Sequence, residues 1–363
     1  MPSLYVHIPF CARKCFYCSF VVAVSAEKYA DKYLDCVALE AERFRGEALE
    51  TIYIGGGTPS HLSPQQITRL MEIINSHFDC SHVKEITMEA NPEDIQEARL
   101  HAVRQCGINR ISLGVQTFDE GHLKYLGRNH DAKSALKAAK IIDQFDFRSV
   151  NIDLMFGFEG QKLHEAERDA ERIMELKPRH ISLYGLTVEP KSRFFAQGKI
   201  VSSELQGEMY TLLLERLKQY GYGQYEVSNF ALSGHESRHN INYWLGGDYI
   251  GLGVGAHSHR DRRRWWNVAK LMEYVDKMDR GLSVEEGFEQ LSHKEHQVEK
   301  LLFGLRMNRG IDAALLRAGT FDDHLLDKLR LFMDEGFLIR EEGRIKASDK
   351  GRLVLDELSS QLI

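Results

Sequence analysis

The sequence predicts an α/β fold: a partial (β/α)6 TIM-like barrel with a helical, winged-helix-like C-terminal domain. Two observations predict it. Apolar, β-branched runs alternate with amphipathic segments over the first 200 residues, and this order changes later in the chain. Strands that alternate with helices are joined by right-handed crossovers and therefore run parallel. In such barrels the functional residues lie where the strands end.

The predicted strands of the barrel are six apolar runs: Leu4–Ile8, Thr51–Ile54, Val83–Ala90, Arg110–Val115, Ser149–Met155 and His180–Thr187. The predicted helices between them are Lys28–Phe44, Gln65–Phe78, Asp94–Gln105, Ala132–Gln144 and Glu165–Leu176. Two helix starts are well marked. Ser63-Pro-Gln-Gln66 predicts a capping box with Pro at the first helical position. Asn91-Pro-Glu-Asp94 predicts a second start, with Asn91 as the N-cap and acids in the first turn.

The second half of the chain has a different order. A predicted helix over Leu205–Tyr220 precedes a Gly-rich run at residues 246–255, and the chain beyond Asn267 is predicted to be mostly helical. From Glu295 onward the order is three helices, two short strands (Phe337–Arg340 and Arg344–Ala347) and a final helix, which resembles a winged-helix module. We therefore divide the chain into a core (1–200), a connecting region (201–290) and a C-terminal domain (291–363).

Composition and charge exclude several classes of protein. The chain has 363 residues and a formal net charge of −6, so nothing attracts it as a whole to nucleic acid. No segment reaches the roughly 18 apolar residues of a membrane span, and the N-terminus does not resemble a signal peptide. Six cysteines are too few for a disulfide scaffold in a chain of this length. These features predict a cytoplasmic protein that does not bind nucleic acid.

Three cysteines stand close together directly after the first predicted strand. Cys11, Cys15 and Cys18 have the spacing C-x3-C-x2-C, and no fourth cysteine is near. A structural zinc site needs four ligands, and His7 is a poor candidate for the fourth because it lies within the strand. An iron–sulfur cluster held by three thiolates, with one iron open to another ligand, is the favoured interpretation. Zinc and inert thiols remain the alternatives.

The same end of the predicted sheet gathers other chemically distinctive residues. Gly55-Gly-Gly-Thr-Pro59 follows the second strand, Glu89 ends the third, Gln116 ends the fourth and Asp153 lies near the end of the fifth. Three glycines allow backbone groups to approach a ligand closely. Because parallel strands end at one edge of the barrel, these residues are predicted to share one site.

Taken together, these motifs resemble a known family over the whole chain. The motifs are Tyr5-Val-His-Ile-Pro-Phe-Cys11 with the cysteines that follow, Gly55–Pro59, Glu89-Ala-Asn-Pro92, Gly114-Val-Gln-Thr-Phe118, Gly127-Arg128 and Asn151-Ile-Asp153-Leu. They are similar to radical S-adenosylmethionine (SAM) proteins, specifically the oxygen-independent coproporphyrinogen III oxidase family. Each motif alone is weak, but their combination and order are specific.

The resemblance implies roles for individual residues. Cys11, Cys15 and Cys18 would hold a [4Fe–4S] cluster whose open iron takes the amino and carboxylate groups of SAM. The residues that it implies for SAM are Tyr5, Tyr17, Gly56, Gly57, Thr58, Glu89, Gln116, Arg128, Asp153 and Thr187. These residue types suit the ligand, since SAM carries an ammonium, a sulfonium and a carboxylate.

The sequence departs from the oxidases at two places. Phe20 stands where they have a further cysteine, and the first strand begins at Ser3-Leu4 without their longer leading segment. Both departures match the HemW branch of the family, whose members are heme chaperones. Ser237-Arg-His-Asn-Ile-Asn-Tyr-Trp244 resembles the H-N-x-x-Y-W signature of that branch. The resemblance to this branch implies that His239, Tyr243 and Trp244 are candidates for heme contact; the alternative is that His239 and Trp244 anchor the junction between the barrel and the C-terminal tail.

The resemblance therefore predicts a heme chaperone that binds heme and transfers it to an unidentified acceptor protein, soluble or membrane-associated. Oxidative decarboxylation of coproporphyrinogen III, or another radical modification of a tetrapyrrole, is the alternative, so the sequence leaves open whether the protein is an enzyme. The Arg-rich segment 259–267 could meet heme propionates or an anionic membrane, or could simply be a solvated loop.

Overall fold

The six predicted barrel strands are present and run parallel. The computed structural model describes residues 1–317 and 321–362. The strands are β1 (Ser3–Ile8), β2 (Thr51–Gly56), β3 (Glu85–Ala90), β4 (Arg110–Gln116), β5 (Ser149–Phe156) and β6 (His180–Gly185). Each pairs in parallel with the next, for example Tyr5 with Tyr53 and Asp153 with Ser182. The predicted α/β class and partial barrel are confirmed, although β6 ends two residues before the predicted Thr187.

The connecting region extends this sheet on both sides. Its strands are β7 (Gly223–Glu226), β8 (Asn229–Ala231), β9 (Tyr249–Leu252), β10 (His257–Arg260), β11 (Arg263–Asn267) and β12 (Glu285–Gln290). Over the described residues one twelve-stranded sheet has the order β12-β11-β10-β9-β1-β2-β3-β4-β5-β6-β8-β7. Strand β9 pairs in parallel with β1, with Ser3 opposite Tyr249. The expectation of mostly helical structure beyond Asn267 is wrong for β12, which pairs antiparallel with β11.

The barrel helices follow the predicted segments with small shifts at their ends. Helices of the first 220 residues are α1 (Ala30–Ala41), α2 (Pro64–His77), α3 (Glu97–Gln105), α4 (Glu120–Leu126), α5 (Ala132–Asp143), α6 (Leu163–Leu176), α7 (Arg193–Ala196) and α8 (Ser203–Gln219). The helices that follow are α9 (Arg238–Trp244), α10 (Leu271–Asp279), α11 (His293–Arg306), α12 (Asp323–Asp334), α13 (Asp349–Leu353) and α14 (Leu355–Ser360). Single 3-10 turns are present at Glu27–Tyr29, Glu42–Phe44, Pro59–His61, Pro92–Asp94 and Ala313–Arg317. Among the described residues, no helix has the length and apolar character that crossing a membrane requires.

Of the two predicted helix starts, one is confirmed and one is wrong. Ser63 accepts the Gln66 backbone N–H, and the Gln66 side chain accepts the Ser63 N–H, so the capping box is present. Asn91 caps nothing: residues 92–94 form only a 3-10 turn, and α3 begins at Glu97. The Asn91 side chain points to Thr58 and Arg128 instead. A residue that the local sequence assigns to a helix end therefore belongs to the site at the strand ends.

The C-terminal segment has its own apolar core. Strands β13 (Ile311–Asp312), β14 (Leu338–Glu341) and β15 (Arg344–Ala347) form a small antiparallel sheet in the order β13-β15-β14. Helices α11 and α12 contribute Leu301, Leu329 and Phe332 to the core beneath it. The two predicted strands and the helices on either side of them are present, but of the three helices predicted before the strands only α11 and α12 are described as α-helices, with β13 and a 3-10 turn at residues 313–317 between them.

A buried carboxylate ties the first helix to the far side of the sheet. Glu40 on α1 is buried and accepts hydrogen bonds from the Gly253 N–H (2.8 Å), the Asn267 side-chain amide (2.6 Å) and the Tyr274 hydroxyl (2.7 Å). Burial raises the pKa of this carboxyl group. Because its donors come from residues far along the chain, Glu40 helps to join α1 to α10 and to the end of β9.

We expect Glu40→Ala to lower the free energy of unfolding by roughly 3 kcal/mol, since it leaves several buried donors without an acceptor. Urea denaturation followed by circular dichroism measures the change. Glu42→Ala is the matched control, because Glu42 lies on the surface and its ion pair with Arg45 contributes little. Equal denaturation midpoints for the two variants would contradict the prediction.

Candidate functional site

The cysteine loop is closed at its base by a short pair of strands. Phe10–Cys11 pairs in parallel with Ala23–Val24, so the residues between them form a loop at the end of β1. Cys11 is buried, whereas Cys15 and Cys18 are half-buried. The Cys18 N–H donates to the Cys15 carbonyl across a tight turn (3.3 Å). All three side chains line one cavity of about 360 Å³, as the spacing predicts.

The thiols have the properties of ligands for a soft metal. Burial raises the pKa of Cys11 to about 11, although a hydrogen bond with Thr58 opposes the rise, and burial also raises the pKa of Cys18. A thiol with a raised pKa keeps its proton until a metal displaces it. Besides the carboxyl groups of Glu89 and Asp153, which accept hydrogen bonds within the protein, the donor set comprises the three thiols and no imidazole among the residues that line the cavity. It fits a cluster that is held by three thiolates and has one open iron.

A half-buried arginine lies next to the cysteines. Helix α4 ends at Gly127 in a left-handed conformation (φ +73°), which turns Arg128 back toward the loop. Its guanidinium donates to the Asn91 side-chain oxygen (2.8 Å) and the Gly114 carbonyl (2.6 Å), and Nη1 lies 3.4 Å from the Cys15 sulfur. Its Nε has no partner among the described residues. Arg128 therefore fixes the edge of the cavity and retains a free donor.

The glycine loop after β2 must consist of glycines because other chain segments touch it. A Cβ on Gly57 would lie 2.6 Å from the Pro9 carbonyl oxygen, and one on Gly56, which has φ +117°, would lie 2.6 Å from the His7 ring. The Gly57 N–H donates to the Ile8 carbonyl (2.8 Å). The loop therefore packs against the end of β1, and its backbone lines the cavity beside Cys11.

Two half-buried carboxyl groups line the same cavity as the arginine. Glu89 accepts hydrogen bonds from the Tyr53 hydroxyl (2.8 Å) and the Gly56 N–H (3.0 Å). Burial raises the pKa of Glu89 to about 7, and the nearby charge of Asp153 contributes. Asp153 accepts from Asn151 (2.6 Å), and burial raises its pKa as well. Acids with raised pKa values in a closed cavity are suited to a cationic ligand, whose charge favours their ionised forms.

Most of the residues predicted for SAM come together, and two do not. The cavity lining includes these predicted residues: Tyr17, Gly56, Gly57, Thr58, Glu89, Gln116, Arg128 and Asp153. Tyr5 is not among the lining residues; its hydroxyl bonds to His7 (3.0 Å) and its ring stacks on Tyr53. Thr187 lines a different cavity, next to Arg306 and Arg352. Thr187 follows the end of β6, so its place could not be read from the strand pattern.

Several lining residues were not predicted as site residues. They are Arg13, Lys14, Phe20, Val22, Tyr53, Ala90, Asn91, Ser112, Gly114, Met155 and Tyr184. Tyr53, Ser112, Met155 and Tyr184 lie on the barrel strands. Their alternation along each strand is the signal that could have found them, because every second side chain of a strand points to the same face.

The heme candidates lie in two different environments. His239 is 1% exposed, and its ring nitrogens bond to the Thr51 hydroxyl (2.8 Å) and the Tyr243 hydroxyl (3.1 Å). Burial lowers the pKa of His239 to about 3. This histidine is therefore neutral and links α9 to β2. Tyr243 and Trp244 line a second cavity, which shares no lining residue with the first.

The Arg-rich segment is a hairpin rather than an unpaired basic patch. Strands β10 and β11 carry Arg260, Arg263 and Arg264, the turn between them carries Arg262, and acidic partners neutralise several of these arginines. The pairs are Arg260–Glu47, Arg263–Glu285 and Arg264–Glu299. Charges that are already paired attract an anionic membrane only weakly, which disfavours the membrane interpretation.

Comparisons with known proteins agree with this geometry. The profile of the Radical SAM superfamily matches residues 5–173, and that of the HemN C-terminal domain matches residues 291–354. The solved coproporphyrinogen III oxidase (HemN) of Escherichia coli superposes with a TM-score of 0.87 at 26% identity, over 99% of this chain and 90% of the oxidase. The fold and the cysteine loop together therefore define a radical SAM protein.

Similar proteins of known family show which radical SAM family this chain resembles. The chain is 34% identical to the heme chaperone HemW of Bacillus subtilis over 99% of its own length and 98% of that relative. It is 40% identical to the heme chaperone HemW of Escherichia coli over 70% of this chain and 69% of the relative. The chain belongs to the HemW family.

Proposed function

We propose that this protein is a heme chaperone that carries a [4Fe–4S] cluster with an exchangeable SAM. The observation that carries the proposal is the cavity that three thiols, a half-buried arginine and two half-buried acids line, in a chain that belongs to the HemW family. Heme would be its cargo, and an acceptor protein its partner. A cytoplasmic location remains part of the proposal, as does the absence of a nucleic-acid partner.

The cysteines would hold the cluster, and the residues around them would hold SAM. Such a cluster, when reduced, supplies an electron for cleavage of SAM. The backbone of Gly56 and Gly57 would meet the amino-acid end of SAM, next to Cys11. Glu89 and Asp153 would face its positive charge, while Tyr17 and Gln116 would complete the lining of the SAM cavity. The free Nε of Arg128 would take an oxygen of the ligand.

Tyr5 and Thr187 need different roles in this proposal. Tyr5 supports Tyr53 from behind, and Tyr53 in turn donates to Glu89, so Tyr5 would act on SAM only through its neighbours. Thr187 lies in a cavity of about 390 Å³ that also contains Tyr184, and Tyr184 lines the SAM cavity too. Thr187 would therefore contact whatever occupies this adjoining space.

The proposed division into core (1–200), connecting region (201–290) and C-terminal domain (291–363) has physical support. The apolar side chains around α11, α12 and the small sheet form a cluster distinct from the barrel core. A separate core is what an independently packed unit requires.

Decarboxylation of coproporphyrinogen III is the second candidate, and the intact SAM cavity favours it. Phe20 argues against it. Its side chain lines the cavity and is 66% exposed, at the position where the oxidases have a further cysteine. An exposed aromatic ring at the mouth is better suited to contact with a partner or cargo than to proton or electron transfer.

One experiment separates the two candidates. Anaerobically reconstituted protein receives SAM, a low-potential reductant and coproporphyrinogen III, and heme is titrated into a parallel sample. We expect stoichiometric heme uptake and no turnover of the porphyrinogen. Protoporphyrinogen formed over many turnovers would refute the chaperone proposal. The oxidase of Escherichia coli, prepared in the same way, is the positive control for turnover.

A further inference from the structure

A buried chain of hydrogen bonds leads from Asp153 into the protein, away from the SAM cavity. Asn151, which is 2% exposed, lies two residues before Asp153 on β5, so both side chains point to the same face of the sheet. The Asn151 amide nitrogen donates to the Asp153 carboxylate (2.6 Å) and to the Ser112 hydroxyl (2.7 Å). Asp153 and Ser112 line the cavity, and Asn151 does not. Asn151 therefore meets the cavity only through these neighbours.

A histidine binds the other end of the Asn151 amide. His180 lies opposite Asn151 in the register of β5 and β6, and it is fully buried. Its Nδ1 is 2.6 Å from the Asn151 side-chain oxygen, and its Nε2 is 2.8 Å from the Tyr225 hydroxyl. Burial lowers the pKa of His180 well below its usual value, so the imidazole is neutral and has one ring N–H. Because the Asn151 oxygen can only accept, that hydrogen is on Nδ1.

The direction of every hydrogen bond in this chain follows from its two ends. The Ser237 backbone N–H donates to the Tyr225 oxygen (3.4 Å), so the Tyr225 O–H is free to donate to Nε2 of His180. His180 then donates to Asn151, and Asn151 donates to Asp153. All donors point toward the carboxylate, which accepts only when it is ionised. If the Asn151 amide turned by half a rotation, its oxygen would face the Asp153 carboxylate instead.

The second neighbour of the Asn151 oxygen does not hold the amide by itself. The Ser182 hydroxyl lies 3.2 Å from the Asn151 oxygen and 2.8 Å from the Asn229 side-chain oxygen. It has a single hydrogen, and the shorter distance favours Asn229. The Asn229 amide keeps its orientation because its nitrogen donates to the Glu226 carboxylate. His180 is therefore the group that determines which way the Asn151 amide faces.

We propose that His180 is a positioning residue of the SAM site, which fixes the Asn151 amide so that its N–H groups face Asp153. The inference rests on the proposed function, since it takes SAM to be the ligand of the cavity. Its consequence concerns the charge of Asp153. An N–H that donates to a carboxylate favours the ionised form, whereas an amide oxygen at the same place favours the protonated acid. A neutral Asp153 would not attract the positive charge of SAM.

Other charged and titratable groups act on Asp153 through space. They are Glu89 on β3, Arg110 on β4, Tyr17 on the cysteine loop, Tyr53 on β2 and Tyr184 on β6. Arg110 donates to the Ser149 hydroxyl (2.9 Å), and the charge of Glu89 opposes the ionisation of Asp153. Burial raises the pKa of Asp153, and the hydrogen bond from Asn151 opposes this rise. The orientation of one amide therefore has a large effect on the charge of this carboxyl group.

A variant without the Nδ1 donor tests the inference in the full-length, cluster-containing protein. His180→Leu retains most of the side-chain volume and leaves the Asn151 amide free to turn. We expect SAM affinity at about pH 8 to fall about tenfold, because binding must then remove a proton from Asp153. Isothermal titration calorimetry should show the release of about one proton, whereas the wild type should release almost none, since Glu89 is already mostly ionised at this pH.

Infrared difference spectra identify the carboxyl group that loses the proton. SAM binding to His180→Leu at about pH 8 should remove a protonated carboxyl band, and Asp153→Asn in the same background should abolish that band. His180→Asn places an amide nitrogen where Nδ1 lies, so it should restore the affinity and lack the band. His180→Gln places its amide where Nε2 lies and should resemble the leucine variant. The glutamine variant decides the question if the leucine variant does not fold.

Two controls separate orientation from stability. Tyr225→Phe removes the hydrogen bond to Nε2 but leaves the Nδ1 donor, so it should keep the wild-type affinity and lack the band. His77→Leu removes another buried histidine, whose Nδ1 bonds to the Ile73 carbonyl on α2, and it should also bind SAM normally. Urea denaturation shows how much stability each variant loses.

Three results would overturn the inference. The first is wild-type affinity without a carboxyl band in both His180→Leu and His180→Gln. The second is an equal loss of affinity in His180→Asn, which would indicate packing alone. The third is a carboxyl band of Asp153 in the wild type at about pH 8. A wild-type protein that binds no SAM would instead refute the proposed function, and this inference with it.

Discussion

Cys15→Ser protein should contain almost no iron–sulfur cluster after anaerobic reconstitution. A cluster on three thiolates has no spare ligand, and among the described residues no fourth cysteine lines the cavity. A serine hydroxyl is a hard, weakly acidic donor that does not replace a thiolate on iron. Iron and acid-labile sulfide should therefore fall from about four of each per chain to near zero.

Cys106→Ser is the control for this loss. Cys106 lies at the end of α3, where its sulfur is 3.7 Å from the Thr68 hydroxyl, and it does not line the cavity. This variant should keep the full cluster and the visible absorption of the wild type. Full iron and sulfide in Cys15→Ser would show that the three cysteines do not act as one ligand set.

SAM affinity should rise about tenfold between about pH 6 and pH 8, through the ionisation of Glu89. Burial raises the pKa of Glu89 to about 7, so before SAM binds this carboxyl group is mostly protonated at the lower pH. The cationic ligand binds the ionised form more tightly. Binding below pH 7 must therefore displace a proton, and affinity falls as the pH falls. Isothermal titration calorimetry in buffers of different ionisation enthalpy measures both the affinity and the released proton.

Glu89→Gln should remove this pH dependence and weaken SAM binding at pH 8. Asp169→Asn is the matched control. Burial also raises the pKa of Asp169, to about 6, but its carboxylate bonds to Thr117 and Phe118 and does not line the cavity. The control should keep the wild-type pH profile. An unchanged profile in Glu89→Gln, or a flat profile in the wild type, would refute the role of Glu89.

The strand pattern predicts the barrel well because its signal is local. Each of β1 to β6 is a short apolar run that ends near a polar residue or glycine, and packing between helices and other strands buries it. Strand β9 was not predicted. Its residues Tyr249–Leu252 lie within a Gly-rich run, and glycines lower the strand signal. Pairing with β1, nearly 250 residues away in sequence, and with β10 makes this segment a strand.

The site was partly predictable for the same reason. Residues directly at strand ends, such as Glu89 and Gln116, converge because the strands are parallel. Asn91 was assigned to a helix cap because the local sequence suits one, but Arg128 and Thr58 determine its position. The spacing of His239, Tyr243 and Trp244 indicates a shared helix. It does not reveal that the His239 side chain is enclosed in the protein. It also does not reveal that His259 and His296, from other elements, line the cavity that contains Tyr243 and Trp244.

The position of β1 between β2 and β9 has a consequence for synthesis of the protein. The strand that leads into the cysteine loop is made first, but one of its two neighbours, β9, emerges from the ribosome only after residue 252. Until then one edge of β1 exposes unpaired backbone groups, which promote aggregation. The nascent chain therefore presents its cysteines before the sheet beneath them is complete. This order favours cluster insertion after most of the chain has been translated.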